Sequence, residues 1–171
     1  MITGLRVRWF FAVVAIILTA FAANSLAADK AKTLGLSKAL GQVKLFAGLT
    51  EKERAALESA ATLRHCKEND RIIEQGKTLD RMYIILEGQA EVRVNGKLVA
   101  TLPEQSLVGE IEFLDKLPAS AEVIVLKETQ LIEINNAALN SLMEKQPRLG
   151  YVLMSEIARI ESQRLRAMDQ K

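Results

Sequence analysis

The 171-residue chain carries 23 lysines and arginines, 21 aspartates and glutamates, one histidine and 49% apolar residues. That length suits one compact domain with a tail or two, since domains run about 100–150 residues, and the apolar share excludes a disordered chain. A net charge of +2 supplies no basic field for nucleic acid, and a lone cysteine, Cys66, excludes an internal disulfide and the usual Cys/His metal clusters.

Arg6 and Arg8 precede an apolar run from Trp9 to Ala23, and Ser25-Leu26-Ala27 follows with small residues. This basic, apolar, small-residue layout is that of a secretory signal peptide cut after Ala27. Removing residues 1–27 takes Arg6 and Arg8 away and leaves 21 basic against 21 acidic side chains. The alternative is a retained inner-membrane anchor, because the uncharged stretch from Trp9 to Ala28 approaches the ~20 residues that span a bilayer. Both readings place the domain outside the cytoplasm, in the periplasm of a bacterial source. A buried N-terminal helix fits less well, since the run is apolar on every face.

Residues 28–44 read as a linker running into a short helix near Leu40, with the folded unit beginning at about Leu45. Thr50-Glu51-Lys52-Glu53 is a capping box, which predicts a helix from Glu51 to Ala61. Beyond Leu63 the apolar period becomes two. Ile72-Ile73, Met82–Leu86, Ala90–Val94, Leu98–Leu102, Val123–Val125 and Leu131–Ile134 are strand candidates. Asn95-Gly96 between two of them predicts a two-residue hairpin turn, because both residues tolerate positive φ. After Ile134 the helical period returns. Asn136 is expected to cap a helix over Ala137–Lys145, and Pro147 to open a last helix over residues 147–171 whose stripe is Leu149, Val152, Leu153, Ile157 and Ile160. The fold class is therefore mainly β with flanking helices, with residues 45–146 as the β unit.

Few residues offer chemistry. His65 and Cys66 read as ordinary members of a half-buried strand. Glu112 and Asp115 suggest a paired-carboxylate or cation site, against which stands their reading as solvated loop charges. No nucleophile–base set and no phosphate loop can be assembled, so an enzyme is not expected and no cofactor is called for.

Ile72-Ile73-Glu74-Gln75-Gly76 followed by Met82-Tyr83-Ile84-Ile85-Leu86-Glu87-Gly88 resembles the signature hairpin of cyclic-nucleotide-binding domains. Val108-Gly109-Glu110-Ile111-Glu112-Phe113-Leu114-Asp115 with Pro118-Ala119-Ser120-Ala121 is similar to that family's phosphate-binding cassette. The resemblance covers the chain from about Leu45 onward. It implies a double-stranded β-helix, a jelly-roll-like β-roll, between an N-terminal helix and a long C-terminal one. It also implies a ligand pocket at Gly109, Glu110, Ile111, Glu112, Pro118, Ala119, Ser120 and Ala121. In the family's cassette backbone N–H groups and an arginine hold the cyclic phosphate, and a glutamate accepts from the ribose. Glu110 matches that glutamate, but Ala119 stands where the arginine is expected and Glu112 where a small residue is expected.

A phosphate in such a pocket loses its charge partner and meets a carboxylate, so cyclic nucleotide is not expected to bind in the usual way. The expectation is a non-enzymatic exported binding or interaction module, with an unidentified protein partner. The alternative is a sensor of a cyclic nucleotide or other small molecule, with Lys116 or a partner supplying charge. A helix-turn-helix reader, as in transcription regulators with this roll, needs roughly 60 further residues beyond the long helix and is not expected before Lys171. By resemblance the long helix supplies a homodimer seam through Leu153, Ile157, Ile160, Arg164 and Met168, against the reading that its stripe packs on its own roll.

Overall fold

In chain order the sequence builds a helix, α1, over residues 35–42 and a 3-10 turn at Lys44–Phe46. Helix α2 (Glu51–Leu57) and strands β1 (Ala61–Cys66), β2 (Arg71–Ile73), β3 (Arg81–Glu87), β4 (Ala90–Val94), β5 (Lys97–Leu102) and β6 (Leu107–Val108) follow. Helix α3 (Glu110–Asp115), strands β7 (Glu122–Val125) and β8 (Thr129–Asn135), and helices α4 (Asn136–Lys145) and α5 (Pro147–Asp169) complete it. This computed structural model describes residues 35–169, so the export segment lies outside the described residues. Among the described residues no helix is long and apolar enough to cross a membrane.

The strands form two antiparallel four-stranded sheets, ordered β1-β8-β3-β6 and β2-β7-β4-β5. This is the β-roll that the two glycine-anchored motifs imply. β3 explains how the layers stack. Met82, Tyr83, Ile84 and Ile85 are all buried in succession, which a strand with one wet face would not allow. Met82 and Ile84 face a core shared with the helices, while Tyr83 and Ile85 join Val108, Val123, Val125 and Leu131 in a second core between the sheets. Burying the helix-side group of Leu40, Phe46, Leu57, Leu149 and Leu153 fixes the helices on one sheet, at about 1.5–3 kcal/mol per fully buried large side chain.

The local signals act where they were read. Thr50 Oγ1 accepts from the Glu53 N–H at 3.3 Å, and Glu53 accepts from the Thr50 N–H at 2.8 Å, closing the capping box. Asn95 and Gly96 have φ of 51° and 76°, and β4 and β5 pair across them. Three boundaries differ from expectation. Leu36, Ala39 and Leu40 are already buried in the helix-side core, so folding starts ahead of Leu45. Helix α2 ends at Leu57 instead of Ala61, because Ala61 pairs with Ile134 in the sheet, and this pairing overrides alanine's helical preference. Asn135, not Asn136, caps α4. Its extended backbone at the end of β8 lets Oδ1 accept from the Ala138 N–H at 2.9 Å, while Asn136 is buried.

Candidate functional site

β6 leads into α3 through Gly109, whose φ of 83° and distance of 3.1 Å from a built Cβ to the Arg81 carbonyl leave room only for glycine. The short helix α3 is closed by Lys116, also left-handed at φ 63°. Lys116 sets its Nζ 4.5 Å from the centre of the Phe113 ring, so it is spent on a cation–π contact outside the cavity instead of standing in for the missing arginine. Asp115 is exposed and accepts from the Leu117 N–H at 2.9 Å, a turn-forming role that separates it from Glu112.

A cavity of about 220 Å³ lies between α3 and the second sheet. It is walled by Ile73, Val92, Leu102, Val108 and Val123, with Gly109, Glu110, Ile111, Glu112, Ser120 and Ala121 along the cassette side. Six of the eight expected pocket residues therefore meet around one space. Pro118 and Ala119 do not line it. Pro118 is exposed, and Ala119 is buried in the core between the sheets, its N–H bonded to the Lys77 carbonyl at 2.8 Å and its own carbonyl to the Gly76 N–H at 2.7 Å. That stitch holds the cassette against the signature hairpin.

Two carboxylates reach the cavity, and each has a different partner. Glu112 Oε1 accepts from the Ser120 N–H at 3.1 Å and approaches Ser120 Oγ at 3.5 Å, so the chain's own carboxylate sits on a cassette amide. Glu110 is only 2% exposed, and its Oε1 accepts from Arg164 of α5. The same guanidinium donates to Glu161 Oε1 at 2.8 Å and to the Leu107 carbonyl at 2.6 Å. Glu110 Oε2 is buried without a hydrogen-bond partner. Burial pushes the Glu110 carboxyl up to about 7, against the pull of Arg164.

Arg164 is the residue that sequence reasoning missed. The family resemblance places it on a dimer helix, and within the chain its guanidinium reaches the cavity, 54 positions beyond Glu110. The other residues of the expected dimer helix differ in burial. Leu153 and Ile157 are each 2% exposed in the chain's own core, and Ile160 packs half-buried against the same core. Of the residues assigned to the seam, only Met168 is a large exposed apolar side chain, accompanied by Leu165. Elsewhere, burial pushes the Cys66 thiol up, which disfavours the reactive thiolate, and exposed His65 meets Gln130 at 3.3 Å. Among the described residues no group of three or more His, Cys, Asp or Glu is arranged to hold a metal ion.

Comparison with known proteins agrees with this fold. The family model described as "Cyclic nucleotide-binding domain" matches residues 63–146. The chain is 30% identical over 128 residues to the Pycsar effector protein XpPycTIR of Xanthomonas perforans, a match covering 70% of this chain and 42% of that protein. It is 29% identical over 104 residues to the cGMP-dependent protein kinase of Plasmodium berghei, covering 61% of this chain and 12% of the kinase. The chain thus spans less than half the length of these relatives. Among solved structures, a cyclic nucleotide-binding domain from Methylobacillus flagellatus superposes with a TM-score of 0.68 at 21% identity, covering 79% of each chain.

Proposed function

Because the chain carries a domain of the cyclic-nucleotide-binding family over residues 63–146, we propose that it is a non-enzymatic regulatory or interaction module that does not hold cyclic nucleotide in the family's manner. One observation carries this: Glu112 Oε1 accepts from the Ser120 N–H at 3.1 Å, so a resident carboxylate occupies a cassette amide while Ala119 offers no cation. An incoming cyclic phosphate would have to displace a covalently tethered anion of its own sign. It would do so without the charge-assisted pair that makes such binding favourable.

Export to the periplasm, through cleavage after Ala27 or retention as an inner-membrane anchor, belongs to the same reading. It is supported by the basic, apolar and small-residue order of residues 1–27. The output is a protein contact, including pairing of two copies through the outer end of α5, where Leu165 and Met168 are exposed. The test is calorimetric titration of the full chain with cyclic AMP and cyclic GMP, beside a Glu112→Ala, Ala119→Arg double variant and a Glu112→Ala single variant. The wild type should give no saturable heat, and at least one variant should give it. Saturable heat from the wild type would overturn the reading and restore a cyclic-nucleotide sensor.

A further inference from the structure

The cavity remains after its anion cradle is filled, and its ionic side chains are bonded within the protein. Arg164 donates to Glu110, Glu161 and the Leu107 carbonyl, and Glu112 accepts from the Ser120 N–H. Glu110 and Glu112 are 2% and 8% exposed, so a guest in the cavity strips almost no further water from either. What the space presents instead is aliphatic. Ile73, Val92, Val108 and Val123 form its wall, and Ala100 and Ile111, both exposed, stand at its mouth. Water held among such side chains finds few partners, so displacing it forfeits little hydrogen bonding.

We propose that this cavity takes the alkyl chain of a small neutral aliphatic molecule, with about six to eight carbons inside and any uncharged polar end in water at the mouth between Ala100 and Ile111. This rests on the reading that the cassette does not hold a cyclic phosphate. Three features set the class. Neutrality follows from the internal pairing, because a charged group on the guest loses its hydration and gains no free counter-group. The aliphatic wall sets the driving force, which is the apolar surface removed from water. The volume of about 220 Å³ sets the length: it exceeds the ~150 Å³ of an apolar cavity that holds benzene and falls below the ~300–1,000 Å³ of drug-sized sites. Ile111 also fits this occupant, since it is left 43% exposed at the mouth, where a chain leaving the cavity covers it.

The experiment is an amide-resolved NMR titration of the full chain with 1-butanol, 1-hexanol, hexanoate and n-hexylammonium, and separately with cyclic AMP. 1-Hexanol should give saturable shifts at the amides from Val108 to Glu112 and bind about tenfold tighter than 1-butanol, since each buried methylene is worth about three- to fourfold in affinity. At equal chain length it should bind about tenfold or more tighter than hexanoate or hexylammonium. Ala100→Phe, which fills the cavity from an exposed lining position, should abolish the shifts in a still-dispersed spectrum. The proposal is overturned if 1-hexanol gives no saturable shift, if 1-butanol or either charged analogue binds as tightly, if the shifts map away from the cavity, or if Ala100→Phe binds unchanged. Silence from both 1-hexanol and cyclic AMP defeats the aliphatic-ligand proposal alone, whereas saturable cyclic AMP shifts at the cassette defeat the functional reading beneath it.

Discussion

Replacing Arg164 by methionine removes the only cation among the described residues that touches Glu110 while keeping much of the aliphatic stem. In the intact protein the Arg164 side chain is 36% exposed and that of Glu110 only 3%. Breaking a fully buried pair by deleting one partner costs about 3–5 kcal/mol, and the partial exposure of Arg164 reduces this to about 2 kcal/mol where Glu110 is ionised. The sign with pH follows from the raised carboxyl. Its folded value of about 7 lies above the ordinary 4.5, so the folded state holds the proton more tightly than the unfolded one. Wild-type stability should therefore decline as pH rises from about 4.5 to about 7 and then level off. Without Arg164 the carboxyl is pushed higher still, so the variant keeps losing stability above neutrality. At about pH 5.5 the acid is neutral in both proteins and the loss shrinks to that of ordinary hydrogen bonds, about 1 kcal/mol. Urea melts of both proteins at the two pH values measure the difference. Equal losses at pH 5.5 and 8 would refute the coupling between Arg164 and an ionising, buried Glu110.

Two further substitutions check the packing. Gly88→Ala should lower stability by roughly 2–5 kcal/mol in thermal melts, because φ is 109° there and a Cβ would lie 2.8 Å from the Thr129 Cα in β8, adding strain to overpacking. Ile157→Asp should unfold the domain instead of separating two copies, since it places a charge in the helix-side core; circular dichroism will show lost structure, whereas Leu165→Asp with Met168→Asp should stay folded within about 0.5 kcal/mol.

What could be read from the sequence is what short-range chemistry decides. Asn95-Gly96 fixed its own hairpin because the turn needs two positive φ values, which these residues tolerate, and Thr50 and Glu53 closed their box within one helical turn. Gly109 and Glu110 could be placed at the cavity because the glycine-bounded cassette is a local motif. β6, with two residues, is too short to show a period, and Ala61 could not be told from a helical residue until its pairing with Ile134 was known. Periodicity also named the stripe of α5 without saying which core it serves. Leu153 and Ile157 carry the same pattern whether they meet a second copy or their own sheet.

Arg164 at the cavity is not legible in the sequence, for a physical reason. A cassette arginine and a helix arginine supply the same charge, but only the first can be recognised by its neighbours in the chain. Here position 119 holds a small buried residue bonded through its backbone to Gly76 and Lys77, and the guanidinium at the cavity comes instead from α5. An arginine on the cassette would present its fork to a ligand; Arg164 presents its fork to Glu110, Glu161 and the Leu107 carbonyl. The cation is thus consumed in tying α5 to α3 and β6, and the rest of the cavity is lined by the cassette and the apolar wall. Any occupant that bonds Glu110 must share that carboxylate with the anchor of α5, which joins occupancy of the cavity to the position of the helix through a single side chain.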